Sequence, residues 1–144
     1  MSPQDYPLTL TLPSDLGFVS SARSFVLSAC EAGGLDQAGT DALVLAVSEA
    51  INNVIRHAHQ ARPDAPVQLQ CHVTERAVEI HILDEGEPFD LDKVPHLDPK
   101  ELRIGGRGVF LMRALTDELT CQPRGERGNI LRLVKRCPCD PASQ

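Results

Sequence analysis

Glu49, Asn53 and His57 recur at a spacing of four residues, one helical turn apart. A carboxylate and an amide so placed can offer oxygens to a divalent metal. Magnesium suits this well, because it takes one or two protein oxygens and completes its shell from phosphates and water. A second group is Asp84-Glu85-Gly86-Glu87-Pro88-Phe89. An ionised Asp only accepts hydrogen bonds, so Asp84 at a strand end suits the exocyclic amine of a nucleobase. Gly86 has no side chain to keep a flat ring from the backbone. A third group is Gly105-Gly106-Arg107-Gly108-Val109-Phe110-Leu111. Backbone N–H groups at a helix start attract phosphates, and Arg107 adds positive charge. Together the three groups read as one site for ATP.

Taken singly, each group also fits a plain structural role. Glu49, Asn53 and His57 could form a solvated helix flank. Asp84 and Gly86 could serve only the geometry of a turn. The glycines could hinge a helix start. The third group is not a Walker motif, since no Gly-Lys-Ser or Gly-Lys-Thr occurs, and it follows no strand of a βαβ unit as a Rossmann turn does. His57 and His59 are two residues apart and fall on different sides of a helix, which argues against zinc.

The elements that must position these groups follow from pattern. Alternation over 7–12 predicts a first strand. Pro13-Ser14-Asp15 supplies cap chemistry for a helix over about 15–32, which Gly33-Gly34 ends. Leu35-Asp36 opens a longer helix to about Ala61, stopped by Pro63. On it Leu43, Val47, Ala50, Ile51, Val54 and Ala58 make one apolar stripe, and Glu49, Asn53 and His57 lie along its border. Burying such polar groups beside a core is costly unless they find partners, and a metal with its waters would be one.

Two strands over 67–73 and 77–83 form a hairpin. A long polar connection, with one helical turn at 98–102, leads to a helix from Arg107 to Leu115 or Thr116. A second hairpin covers 118–122 and 129–135. The order β-α-α-β-β-loop-α-β-β predicts an α/β (α+β) two-layer sandwich: a mixed, mostly antiparallel sheet with helices on one face. Residues 1–136 are expected to form a single domain, and 137–144 a flexible tail.

Composition excludes several classes. The 144 residues carry a net charge of −6, which argues against a general nucleic-acid binder. No apolar run is long enough for a membrane span, and the start lacks a basic secretory n-region. The five cysteines are irregularly spaced, which argues against a zinc site. With no secretory signal, reduced thiols and a cytoplasmic location are expected.

The combination Glu-x-x-x-Asn-x-x-x-His-Ala, Asp-x-Gly-x-Pro-Phe and Gly-Gly-Arg-Gly-x-Phe-Leu-Met resembles the N, G1 and G2 boxes of the GHKL (Bergerat-fold) ATPases and kinases. It looks most like their anti-sigma-factor serine/threonine kinase branch, through Ala46-Val47-Ser48-Glu49-Ala50, His57-Ala58 and the later Thr116-Asp117-Glu118. The resemblance covers about residues 8–136. Sensor histidine kinases share the boxes but carry a phospho-acceptor hairpin upstream. Only about 40 residues precede Ser48, so that module is not expected here.

The resemblance implies a Mg2+-dependent protein kinase using ATP. Asn53 would hold magnesium and Glu49 would act as general base. Asp84 would bind the adenine amine, with Gly86 beside it. Gly105, Gly106, Arg107, Gly108 and Val109 would meet the phosphates, and His57 would lie in the same site. Residues 90–105 would be an ATP lid. Asn129 stands where many relatives have a threonine near the adenine-binding Asp. The Glu49 spacing selects Asn53 over Asn52 as the box Asn.

The implied partners are a small anti-anti-sigma (STAS-type) protein as phospho-acceptor, a sigma factor held inactive, and a second copy in a homodimer. Neither direct nucleic-acid nor membrane contact is implied. Two other functions fit the residues: a non-catalytic nucleotide-binding regulatory module, and a plain interaction domain.

Overall fold

The computed structural model of the chain describes residues 7–60, 62–91 and 107–138. Strand β1 (Leu8–Leu12) leads into a tight 3-10 turn at Leu16–Phe18, and helix α1 follows as Val19–Ala32. The helix expected from Asp15 therefore starts later. The Asp15 carboxylate accepts from the Gly17 N–H at 2.8 Å, a local bond that closes a turn instead of an α-helix. At the far end Gly34 takes a φ of 70°, and the Leu35 N–H reaches back to the Cys30 carbonyl at 3.0 Å. A left-handed glycine at that point is what such a helix stop needs.

Helix α2 (Gln37–Asn53) is capped by Asp36, which accepts from the Gly39 N–H at 2.9 Å. Its Leu43, Val47, Ala50 and Ile51 are buried, as the apolar stripe requires. A single α-helix to Ala61 is not what forms. Past Asn53 the backbone widens into a π-helical turn over Val54–Ala58. The His59 N–H then bonds back five residues, to the Val54 carbonyl at 2.8 Å. Gln60, at φ 51°, ends the helix before Pro63 is reached. Such wide turns are frequent at functional sites. Here His59 is held from two other parts of the chain, described below.

Strands β2 (Val67–Val73) and β3 (Ala77–Asp84) form the first hairpin, and α3 (Arg107–Leu115) precedes the second, β4 (Glu118–Pro123) and β5 (Asn129–Arg136). The sheet order is β1-β2-β3-β5-β4. The sheet was expected to be mixed and mostly antiparallel; all four pairings are antiparallel. Alternation sets the inner face: Val67, Leu69 and Cys71 of β2, and Val78, Ile80 and Ile82 of β3, are buried in one core with α1 and α2. On β3 the intervening Glu79 accepts from His81 at 2.7 Å and from Arg132 of β5. These two bonds hold the Glu79 carboxyl below its usual range against the opposing effect of its burial.

Two consequences position the site. The β3–β5 register sets Asp84 directly opposite Asn129. The expected tail also starts later than Cys137. That residue is fully buried, and its N–H donates to the Arg76 carbonyl at 2.7 Å. Residues 139–144 lie outside the described part. Among the described residues, no helix is long and apolar enough to cross a membrane.

Candidate nucleotide site

A cleft of about 660 Å³ opens between the end of α2, the adjoining ends of β3 and β5, and α3. Asn53, His57, Asp84, Val109 and Asn129, five of the residues singled out from sequence, line it. Val54, Phe89, Leu91, Met112, Cys121 and Leu131 supply apolar walls. The Cys121 thiol is pushed up to about 11, first by burial and then by the carboxylates of Asp84 and Asp90. It is therefore a neutral wall residue, not a reactive thiolate.

One end of the cleft is fastened tightly. Asp84 and Asn129 are both buried. Asp84 Oδ1 accepts from the Gly86 N–H at 2.8 Å and from Asn129 Nδ2 at 3.1 Å. Asn129 Nδ2 also donates to the Glu87 carbonyl at 2.9 Å, and its Oδ1 accepts from the Phe89 N–H at 2.8 Å. The β4–β5 turn clasps the same loop. The Gly128 N–H donates to the Gly86 carbonyl at 2.9 Å, and Arg127 Nε to the Glu85 carbonyl at 2.8 Å. Gly128 has φ 100°, and a Cβ there would stand 2.3 Å from the Asp84 carbonyl oxygen, so only glycine fits.

The other end rests on helix spacing. Asn53 ends α2, and His57 follows in the wide turn. The start of α3 comes against Asn53: a Cβ on Gly108 would lie 2.7 Å from Asn53 Nδ2. The first and third sequence motifs thus meet at this point. Glu49, one turn before Asn53 and half-buried, lies outside the cleft lining. Gly105 and Gly106, and the connection over 92–105 with its expected turn at 98–102, lie outside the described residues. So does the side chain of Arg107, whose backbone opens α3.

Gly86 also has a packing role. It does not line the cleft. Its missing side chain makes room for Ala58, whose Cβ would be 2.6 Å from a Cβ on Gly86. The turn thereby packs on the wide helical turn.

Could the site hold magnesium? Among the described residues no group of three or more His, Cys, Asp or Glu is placed to hold a metal. Asn53 and Glu49 offer two oxygens one turn apart, beside a helix start suited to phosphates. That set fits a cation that draws most of its ligands from phosphates and water.

Sequence reasoning missed several participants. Gly128 and Arg127 carried no signal beyond a hairpin glycine, because their targets are about 40 residues away. His59 looked like an unused histidine. It is fully buried, with Nε2 accepting from the Glu85 N–H at 2.8 Å and Nδ1 at 2.7 Å from Ser14 Oγ. Burial, opposed by the nearby carboxylates of Asp84 and Glu85, holds it below its ordinary value, so it is neutral near pH 7.

Comparison with known proteins agrees with this geometry. The histidine kinase-like ATPase domain family matches residues 12–135. The serine-protein kinase RsbW of Listeria innocua is 32% identical over 120 residues, covering 78% of this chain and 76% of that protein. The RsbW of Oceanobacillus iheyensis is 32% identical over 83% of this chain and 80% of its own length. That of Staphylococcus epidermidis is 30% identical over 93% and 88%.

Two solved structures share the fold. The SiaB–SiaC complex from Pseudomonas aeruginosa contains a chain matched at TM-score 0.64 and 13% identity, over 88% of each chain. The RsbU and RsbW domains of a Mycobacterium tuberculosis protein match at 0.61 and 18% identity, over 91% of this chain but 32% of that longer one. The chain belongs to the histidine kinase-like ATPase family, on the branch of the serine-protein kinases RsbW.

Proposed function

We propose that the chain is an ATP-dependent serine/threonine protein kinase that acts as an anti-sigma factor. It phosphorylates a small anti-anti-sigma, STAS-type partner, and it sequesters a sigma factor. The observation that carries the reading is that Asp84 and Asn53, 31 positions apart in sequence, line the same cleft with the start of α3 against one of them. Similarity to RsbW kinases along most of the chain supports the choice of a protein substrate.

Each residue has a task the geometry permits. Among the described residues, both donors to the Asp84 carboxylate reach Oδ1, which leaves Oδ2 to accept from the adenine amine. Val54, Leu91, Met112 and Leu131 enclose the ring. The start of α3, with Gly108 and Arg107, holds phosphate oxygens through backbone N–H groups and positive charge. Asn53 would hold magnesium, and the cation would supply charge neutralisation on the phosphates. Glu49 takes the proton of the incoming serine or threonine hydroxyl, a role that tolerates loose geometry before the partner binds. We further propose that the protein is cytoplasmic and works as a homodimer.

One observation favours a second reading, a nucleotide-binding module without transfer: Glu49 stands off the cleft lining. The two readings separate in one experiment. The chain is incubated with Mg-ATP and a candidate STAS-type partner, and phosphoserine or phosphothreonine is mapped. Glu49→Ala is expected to abolish transfer while binding ATP as before. Full transfer by Glu49→Ala refutes the assigned base, and ATP binding with no phosphoprotein from any cognate partner favours the module.

A further inference from the structure

The Asp84 turn is held from a third side, by a buried histidine that the phosphoryl-transfer chemistry does not use. His59 lies just past the wide turn, and the two groups it bonds, Ser14 and Glu85, are 45 and 26 positions away. The direction of each bond is fixed by what the partners can give. The Glu85 N–H can only donate, so Nε2 carries no proton. The Ser14 hydroxyl has one proton, and it goes to the Ala65 carbonyl at 2.6 Å, which can only accept. Ser14 Oγ therefore accepts from Nδ1–H. The relay runs His59 Nδ1–H to Ser14 to Ala65 on one side, and Glu85 N–H to His59 Nε2 on the other.

This relay joins four segments: the entry to α1, the end of the wide turn, residue 65 before β2, and the Asp84–Gly86 turn. His59 and Ser14 are both fully buried, so water cannot substitute for either partner at low cost. We propose that His59 is a positioning residue for nucleotide binding: its neutral Nδ1–H tautomer bolts the Glu85 amide, and with it the Asp84 carboxylate, into the base-binding geometry. The proposal rests on the nucleotide reading of the cleft. It also makes binding sensitive to pH. A proton on Nε2 removes the only acceptor His59 offers to Glu85, and a protonated ring would face the Asp84 and Glu85 carboxylates and the Arg62 guanidinium. The remaining neighbour in the relay, Ser14, is uncharged.

The test measures Mg-ATP affinity by calorimetry, and Glu85 amide exchange by NMR, on the full chain and two variants. His59→Leu leaves the Glu85 N–H without an acceptor. It is expected to weaken Mg-ATP binding about tenfold at pH 7.5 and to speed Glu85 exchange. His59→Gln restores an acceptor that cannot be protonated, and is expected to recover most of the affinity and the protection. The ratio of wild-type to His59→Gln affinity should fall as pH drops through the range in which the His59 ring signals titrate. Nitrogen shifts should report the Nδ1–H tautomer at pH 7.5.

Wild-type affinity and unchanged Glu85 exchange in His59→Leu overturn the proposal, as does a flat affinity ratio across the titration of His59. If His59→Leu does not fold, the comparison of wild type with His59→Gln decides. Failure of the wild type to bind Mg-ATP defeats the nucleotide reading instead. Glu85 exchange, read without nucleotide, still shows whether His59 holds the turn.

Discussion

The two ends of the cleft are built by different means. At the Asp84 end, hydrogen bonds from β5 and its preceding turn converge on residues 84–87, and the bonded partners lie about 40 positions apart in sequence. At the Asn53 end, no hydrogen bond joins the side chains of Glu49, Asn53 or His57 to another described residue, and their placement follows from the turn of a helix. The first end is shaped before any ligand arrives. The second keeps its polar atoms uncommitted to any described residue, as suits groups that must take up a cation or a proton. Substitutions should therefore cost stability at one end and function alone at the other.

Asn129→Ala tests that contrast most severely. It strips the buried Asp84 of a donor and leaves the Glu87 carbonyl and Phe89 N–H, both only partly shielded from water, without their partner. The expected loss is about 3 kcal/mol in urea unfolding, with ATP binding lost as well. Gly128→Ala comes next. Its backbone strain and its collision with the Asp84 carbonyl should cost about 2 kcal/mol or more. Gly125→Ala in the same turn is the control. It has φ 68° but no atom within 4 Å of its Cβ, so it should cost about 1 kcal/mol and leave ATP affinity unchanged. Asn53→Ala should have the smallest effect on stability, within about 0.5 kcal/mol, while abolishing phosphoryl transfer. A large destabilisation by Asn53→Ala would erase the distinction between the two ends.

The same contrast explains what could be read in advance. Glu49, Asn53 and His57 were legible because a helix repeats locally, and four-residue spacing is visible without a fold. The strands showed in the alternation of Val78, Ile80 and Ile82. Asp84 could be marked as a candidate acceptor, but its partner Asn129 was reached through family resemblance, since pairing register is a property of the assembled sheet. The packing role of Gly86 was hidden for the same reason: Ala58, which fills its empty side, lies 28 residues earlier. The wide turn over Val54–Ala58 left no trace in composition. His59, which follows it, is held by two bonds that belong to tertiary structure.

Asn129 carries a further consequence, in the arithmetic of valence. Its amide gives two protons, to Asp84 and to Glu87, and receives one from Phe89. A hydroxyl has a single proton to give. A chain with threonine at this place can hold the carboxylate or the neighbouring carbonyl, but not both, so it must secure residues 87–89 by other means. The asparagine thus ties the carboxylate and residues 87–89 together through one side chain.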